Sequence, residues 1–182
     1  MSYRLFSREL DGDAVEDIVR TAHAFQHFCS DRNWEFCFIR GLALQYWGRP
    51  RVTRDVDVCL LTGFGSEETY ITALLQAYAS RVDDAQEFAL TNRILLLTTP
   101  GGIGLDVSLG GIPFEERVVQ RATEAEYLPD VRLRICSAED LVVLKAFADR
   151  LQDWAARRPL PSAVTSVTCW GLAGSPADQA LS

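Results

Sequence analysis

Two aspartates set in an apolar run, Asp55-Val56-Asp57-Val58-Cys59-Leu60-Leu61, constrain this chain more than any other feature. The β-branched and aliphatic residues read as a strand, and side chains two apart on a strand share a face. Asp55 and Asp57 therefore point together, while Val56 and Val58 pack behind them. The apolar flank argues against a solvated edge strand. Two like charges held this close repel, and burying them without a partner costs several kcal/mol. A cation is expected between them. A hard divalent ion suits the position, because Mg²⁺ takes one or two carboxylates together with substrate phosphates.

A third carboxylate extends the pattern. Asp106, in Gly104-Leu105-Asp106-Val107-Ser108, lies mid-strand with its apolar neighbours facing the other way. Alone, an Asp beside a glycine-rich turn often only bonds backbone, so Asp106 gains meaning jointly with the other two. If its strand pairs beside the Asp55–Asp57 strand, three carboxylates meet on one sheet face. Such a set can hold two metal ions roughly 3.5–4 Å apart, one activating a nucleophilic oxygen and one clamping a triphosphate. Upstream, Gly41 marks a turn before a short helix. Helix N-termini offer free N–H groups to phosphates, and glycine allows close approach to the backbone.

Around these residues, helix and strand signals mix. Asp11 or Asp13 can cap a helix in which Val15, Ile18, Val19, Ala22, Phe25 and Cys29 follow a 3.6 period. Trp34 to Ile39 reads as a strand, and Gly48-Arg49-Pro50 ends the helix that follows Gly41. A helix is expected from Glu67 to about Ser80, with Ile71, Leu74, Leu75 and Tyr78 inward. Arg93–Thr98 and Ile103–Leu109 form a hairpin through Pro100-Gly101-Gly102. Pro113 to about Thr123 is helical, and Val131–Ile135 alternates as an exposed-edge strand. Ser137-Ala138-Glu139-Asp140 resembles a capping-box start to a helix running through Leu144 and Ala148. The fold class expected is α+β, or mixed α/β, because some strands are joined too closely for an all-parallel sheet.

Residues 1–156 read as one domain and 157–182 as an irregular tail, in which Asp178 is the one charged residue after Arg158. Composition leaves two readings of that tail open, an unstructured end or the product of a shifted frame. The chain has 25 acidic and 18 basic residues, net −7, which argues against a broad nucleic-acid footprint but permits one basic mouth. No apolar run is long enough to span a membrane, and the start is no signal peptide. The five cysteines have no paired metal spacing and suit reduced core thiols, hence a cytoplasmic setting.

Other candidates carry a bland reading beside the functional one. Arg49, Arg51 and Arg54 form a basic cluster that suits phosphates or an anionic acceptor, or equally a salt-bridged loop. Lys145 shares a helix stripe with Leu141 and Ala148; it reaches into a cleft or snorkels at a face boundary. His23 and His27 lie four apart on a helix without a third ligand nearby, so an exposed face is the expectation. Gly101-Gly102-Ile103-Gly104 lacks the Lys-Ser/Thr of a phosphate loop and is read as a turn.

Gly41-Leu42-Ala43 followed by Arg51-Val52-Thr53-Arg54-Asp55-Val56-Asp57-Val58 resembles the signature of the DNA polymerase-β-like nucleotidyltransferases. Within that superfamily the chain is most similar to the AbiEii-type toxins of abortive-infection systems. Leu105-Asp106-Val107, Phe114-Glu115, Ser137-Ala138-Glu139-Asp140-Leu141, Leu144-Lys145, Asp149-Arg150 and Gln152-Asp153-Trp154 continue the likeness, which covers about residues 25–155. The family usually has Gly-Gly where this chain has Arg40-Gly41, and it continues helically where this chain enters its tail.

The resemblance implies a central mixed sheet of the nucleotidyltransferase type flanked by helices. It implies Asp55, Asp57 and Asp106 as catalytic metal ligands for Mg²⁺, as two ions, with Mn²⁺ a substitute. Gly41 and Leu42 would line the triphosphate, with Arg54 and Lys145 as further phosphate or substrate contacts. The implied reaction moves an NMP from an NTP to an acceptor hydroxyl and releases pyrophosphate. The implied acceptor is tRNA or protein in a toxin-like role, with a cognate antitoxin as partner. Alternatives are a small-molecule (antibiotic) acceptor, or a degenerate copy that binds nucleotide or a partner without turnover.

Overall fold

The apolar alternation that frames the aspartates also builds the centre of the sheet. The computed structural model describes residues 12–48 and 53–146. In chain order these form α1 (Gly12–Ser30), β1 (Phe36–Phe38), α2 (Arg40–Trp47), β2 (Asp55–Leu61), α3 (Glu67–Ala77), β3 (Ala79–Ser80), α4 (Ala85–Asn92), β4 (Ile94–Thr98), β5 (Gly104–Gly110), α5 (Pro113–Gln120), β6 (Thr123–Leu128) and β7 (Val131–Ile135). A further helix starts at 138, and its described part ends at 146.

The strands form one seven-stranded sheet in the order β3-β4-β5-β2-β1-β7-β6. β2 pairs in parallel with β5, and β1 with β7; the other neighbours are antiparallel. Paired residues share a face, so Val56, Val58 and Leu60 of β2 line up with Leu105, Val107 and Leu109 of β5. Leu95 and Leu97 of β4 and Phe36 and Phe38 of β1 extend that face, and all these residues are buried. Each is worth about 1.5–3 kcal/mol relative to solvent exposure. Helix α1 covers part of this face, with the Phe25 ring edge-on to Phe36 at 6.5 Å between centroids. Of its periodic residues Ile18, Val19, Ala22, Phe25 and Cys29 are buried, and Val15 is half-buried against them.

The structure departs from expectation at four places. Helix α3 ends at Ala77 rather than near Ser80, because Tyr78 turns extended (φ −132°, ψ 146°). Its ring packs against Phe25 and Phe28 at 6.0 and 5.5 Å, so tertiary packing overrides helical continuation. Residues 79–80 become β3, a short strand with no sequence signal, and α4 fills a stretch without a clear periodic pattern. The α5 helix stops at Gln120, and Thr123–Leu128 forms β6 instead of a helix end. Finally, β7 is interior, with β1 on one side and β6 on the other. Its alternation reflects one solvated face, carrying Arg132, rather than an unpaired edge.

The helix at 138 begins as the capping pattern suggests: the Asp140 amide donates to Ser137 Oγ at 3.1 Å. The Asp140 carboxylate accepts from the Ser137 hydroxyl at 2.9 Å and pairs with the Arg121 guanidinium. That joins the end of α5 to the new helix. Cys29, Cys37, Cys59 and Cys136 are free and buried, and burial pushes the Cys29 and Cys136 thiols up to about 12. Among the described residues, no helix is long and apolar enough to cross a membrane. Residues 49–52, with Arg49 and Arg51, and the tail from 157 lie outside the described residues.

Candidate active site

The parallel pairing of β2 with β5 sets the site. Its register places Asp57 directly opposite Asp106, and Asp55 opposite Gly104. Because Asp55 and Asp57 are two apart, all three carboxylates rise from the same face of two adjacent strands, opposite the apolar face. Gly104 has a physical reason: a Cβ there would collide with the Asp55 carboxylate and sit 3.2 Å from an Arg81 guanidinium nitrogen. The missing side chain is the space in which the Asp55 carboxylate lies.

Exposure grades across the trio. The Asp57 side chain is 14% exposed, Asp106 22% and Asp55 46%. Burial raises the Asp57 carboxyl to about 6, opposed by Arg40 and reinforced by the neighbouring Asp106. Asp106 is also raised, by burial first, with Arg81 acting against it and Asp55 adding to it. Burial is the first cause of both shifts, and the nearby arginines only partly offset it.

Two arginines flank them. Arg40 Nη1 stands 3.5 Å from Asp57 Oδ1. Arg81 pairs with Asp106 and places Nη1 3.7 Å from Asp55 Oδ1. Arg81 was not a sequence candidate, because it lies 25 residues from Asp106 in an unpatterned stretch. Only the lateral order of the strands reveals it. Its amide donates to the Leu96 carbonyl at 3.0 Å, continuing the β3–β4 ladder, and Leu96 pairs with Asp106.

At the other side of β2, the turn into α2 meets Asp57. Ile39 is extended as N-cap, and Arg40 follows with φ +47°, a left-handed conformation that suits glycine. This is the position where the resembling family has its first glycine. The Gly41 amide lies 3.5 Å from Asp57 Oδ2. Gly41 itself answers to packing: a Cβ there would meet Thr53 Oγ1 at 2.6 Å. Leu42 is fully buried, and its carbonyl accepts from the Tyr127 hydroxyl at 2.6 Å, so its side chain faces the core. Arg54, next to Asp55, is exposed, and so is Lys145 on the helix at 138–146. His23 and His27 face each other across one helical turn, Nε2 to Nε2 at 3.2 Å.

The donor chemistry suits a hard divalent cation: carboxylate oxygens from two strands, crowded and only partly hydrated. The Arg81 guanidinium already stands as a cation between Asp55 and Asp106. As the side chains lie, no three His, Cys, Asp or Glu groups among the described residues are gathered closely enough to surround one ion.

No protein-family model and no curated protein matches this sequence. The backbone does resemble solved structures. An antigenic nucleotidyltransferase-like protein from Paracoccidioides brasiliensis aligns at TM-score 0.50 and 16% identity, covering 79% of this chain and 69% of that one. A Thermotoga maritima protein named only provisionally as a nucleotidyltransferase aligns at TM-score 0.50 and 12% identity, covering 84% of this chain and 99% of that one. The chain has a mixed α/β fold of the nucleotidyltransferase-like type.

Proposed function

We propose that this protein is a metal-dependent nucleotidyltransferase that moves an NMP from an NTP to an acceptor hydroxyl and releases pyrophosphate. The observation that carries the reading is the β2–β5 register, which sets Asp57 against Asp106 with Asp55 on the same face. Asp55, Asp57 and Asp106 would hold Mg²⁺ or Mn²⁺, which when bound neutralises phosphate charge and lowers the pKa of an acceptor oxygen. The chain's own work is positioning. The Gly41 and Leu42 amides at the start of α2 would orient the triphosphate, with Arg40 beside them and Arg54 and Lys145 as outer cations. Asp106, already raised by burial, would draw the acceptor proton.

For the acceptor, the reading is tRNA or a protein hydroxyl in a toxin-like role, with an antitoxin as partner; it rests on the sequence resemblance. The test incubates labelled NTPs and divalent metal with tRNA, protein and aminoglycoside or lincosamide acceptors, comparing the wild type with Asp55→Ala/Asp57→Ala. Metal-dependent labelling lost in the double variant supports the reading; labelling that survives both removals rejects it. Growth arrest on expression separates the toxin-like role from drug modification, which would instead alter susceptibility. A second reading, a copy that binds nucleotide without turnover, is favoured by the strained Arg40 where the family has glycine. Nucleotide-dependent thermal stabilisation without product would decide for it.

A further inference from the structure

One row of residues crosses the sheet at the height of the carboxylates. Arg81 bonds to Leu96 of β4, Leu96 pairs with Asp106 of β5, and Asp106 pairs with Asp57 of β2. Arg81 therefore starts two strands from Asp106, about 10 Å away at a strand spacing of about 4.8 Å. Its side chain spans that gap to pair with Asp106 and to lie 3.7 Å from Asp55. The backbone bond at 81 fixes the root of the side chain. The Arg81 side chain is 32% exposed, so solvent can receive the guanidinium when it leaves the carboxylates.

From this row we infer that Arg81 is the resident counter-ion of the trio, and that a divalent cation loads only by displacing its guanidinium from Asp55 and Asp106. The inference rests on the metal-binding reading proposed above. Its chemistry is competition for the same oxygens. The guanidinium donates N–H to carboxylate oxygens that a hard metal needs as bare ligands, and both cations cannot use the same lone pairs. Arg81 is thus a positioning residue: it keeps the two strands' carboxylates from repelling one another before the metal arrives, and it sets the threshold of metal concentration at which the site fills.

The experiment titrates the full-length protein with Mn²⁺, reading free aquo-Mn²⁺ by its paramagnetic resonance signal, with circular dichroism to establish folding. Arg81→Gln removes the competing charge. Its Mn²⁺ affinity should rise roughly 3- to 10-fold, the range expected for losing partly exposed ion pairs. Arg81→Lys keeps a cation but loses the forked donors and some reach, so its affinity should fall between those of wild type and Arg81→Gln. Melting temperature gives a second readout: Arg81→Gln should lie below wild type without metal and level with it at saturating Mn²⁺. Equal or weaker Mn²⁺ binding by Arg81→Gln, with binding abolished by Asp57→Asn, overturns the role of Arg81 and leaves the metal site standing. Failure of wild type and both Arg81 variants to bind Mn²⁺ overturns the metal reading itself, and this inference with it.

Discussion

Asp57 shows how a single side chain sets stability against function. Its carboxyl is raised to about 6 by burial, so in the metal-free protein the ionised form is disfavoured relative to the unfolded chain. The stability linked to its proton is fully present below about 3.8 and is lost as pH rises through about 6. Asp57→Asn should therefore raise the metal-free melting temperature at pH 8, by on the order of 1–3 kcal/mol in stability, with the gain fading below pH 4. Thermal melts of both proteins across that pH range check this. Gly104 supplies a second residue-scale test. Gly104→Ala should cost about 1–3 kcal/mol, because the Asp55 carboxylate must move. In an Asp55→Ala background the same change should cost little, which a double-mutant cycle in denaturant would measure. Asp55, Asp57 and Asp106 were legible from alternation within two apolar runs. Arg81 was not, since nothing local in its sequence says which strand it will lie beside.

Between elements, the far end of the sheet is held by a different charged group. Arg93 Nη1 lies 2.5 Å from Glu67 Oε1, and Nη2 donates to the Leu109 carbonyl at 2.5 Å and the Gly63 carbonyl at 3.0 Å. The guanidinium also stacks on Phe64 at 4.3 Å. One side chain ties β4, β5, α3 and the loop after β2. Burial, the largest influence, pushes Glu67 up, but the Arg93 hydrogen bond, the backbone hydrogen bonds at Glu67 and Gly65 and the Arg93 charge together outweigh it, and the carboxyl ends below its usual range. Arg93→Met should destabilise by about 2–4 kcal/mol, since it leaves Glu67 shielded from water without a cation. That loss should appear in urea unfolding while Mn²⁺ affinity stays put, because the triad of carboxylates is at the other end of β2 and β5. The wild-type contribution of this pair is present above the ordinary glutamate range and fades as pH falls below it. The β2 strand, the β4–β5 hairpin and α1 were readable because their periodicity agrees with their packing. The end of α3 and the β6 strand were not, because Tyr78 and the β7 pairing decide them through contacts distant in sequence.

For the molecule as a whole, the apolar layer accounts for the thiols. Cys29, Cys37, Cys59 and Cys136 all lie inside it, and the Cys37 and Cys59 thiols are pushed up by burial. A buried, protonated thiol is a poor nucleophile. In a Cys169→Ser background the native protein should release almost no thionitrobenzoate from Ellman's reagent, and four equivalents once denaturant is added. Rapid labelling of any of the four in the native state would contradict the packing described.

The β2–β5 pairing also has a temporal side. Asp57 and Asp106 sit on neighbouring strands yet are separated by α3, β3, α4 and β4 along the chain. Closing so long a loop is entropically costly, and the β4–β5 hairpin, being local, is expected to form before it docks on β2. A nascent or partly folded chain thus carries its acidic groups in two harmless halves, and their joint affinity for a cation is born only when the last central seam of the sheet shuts.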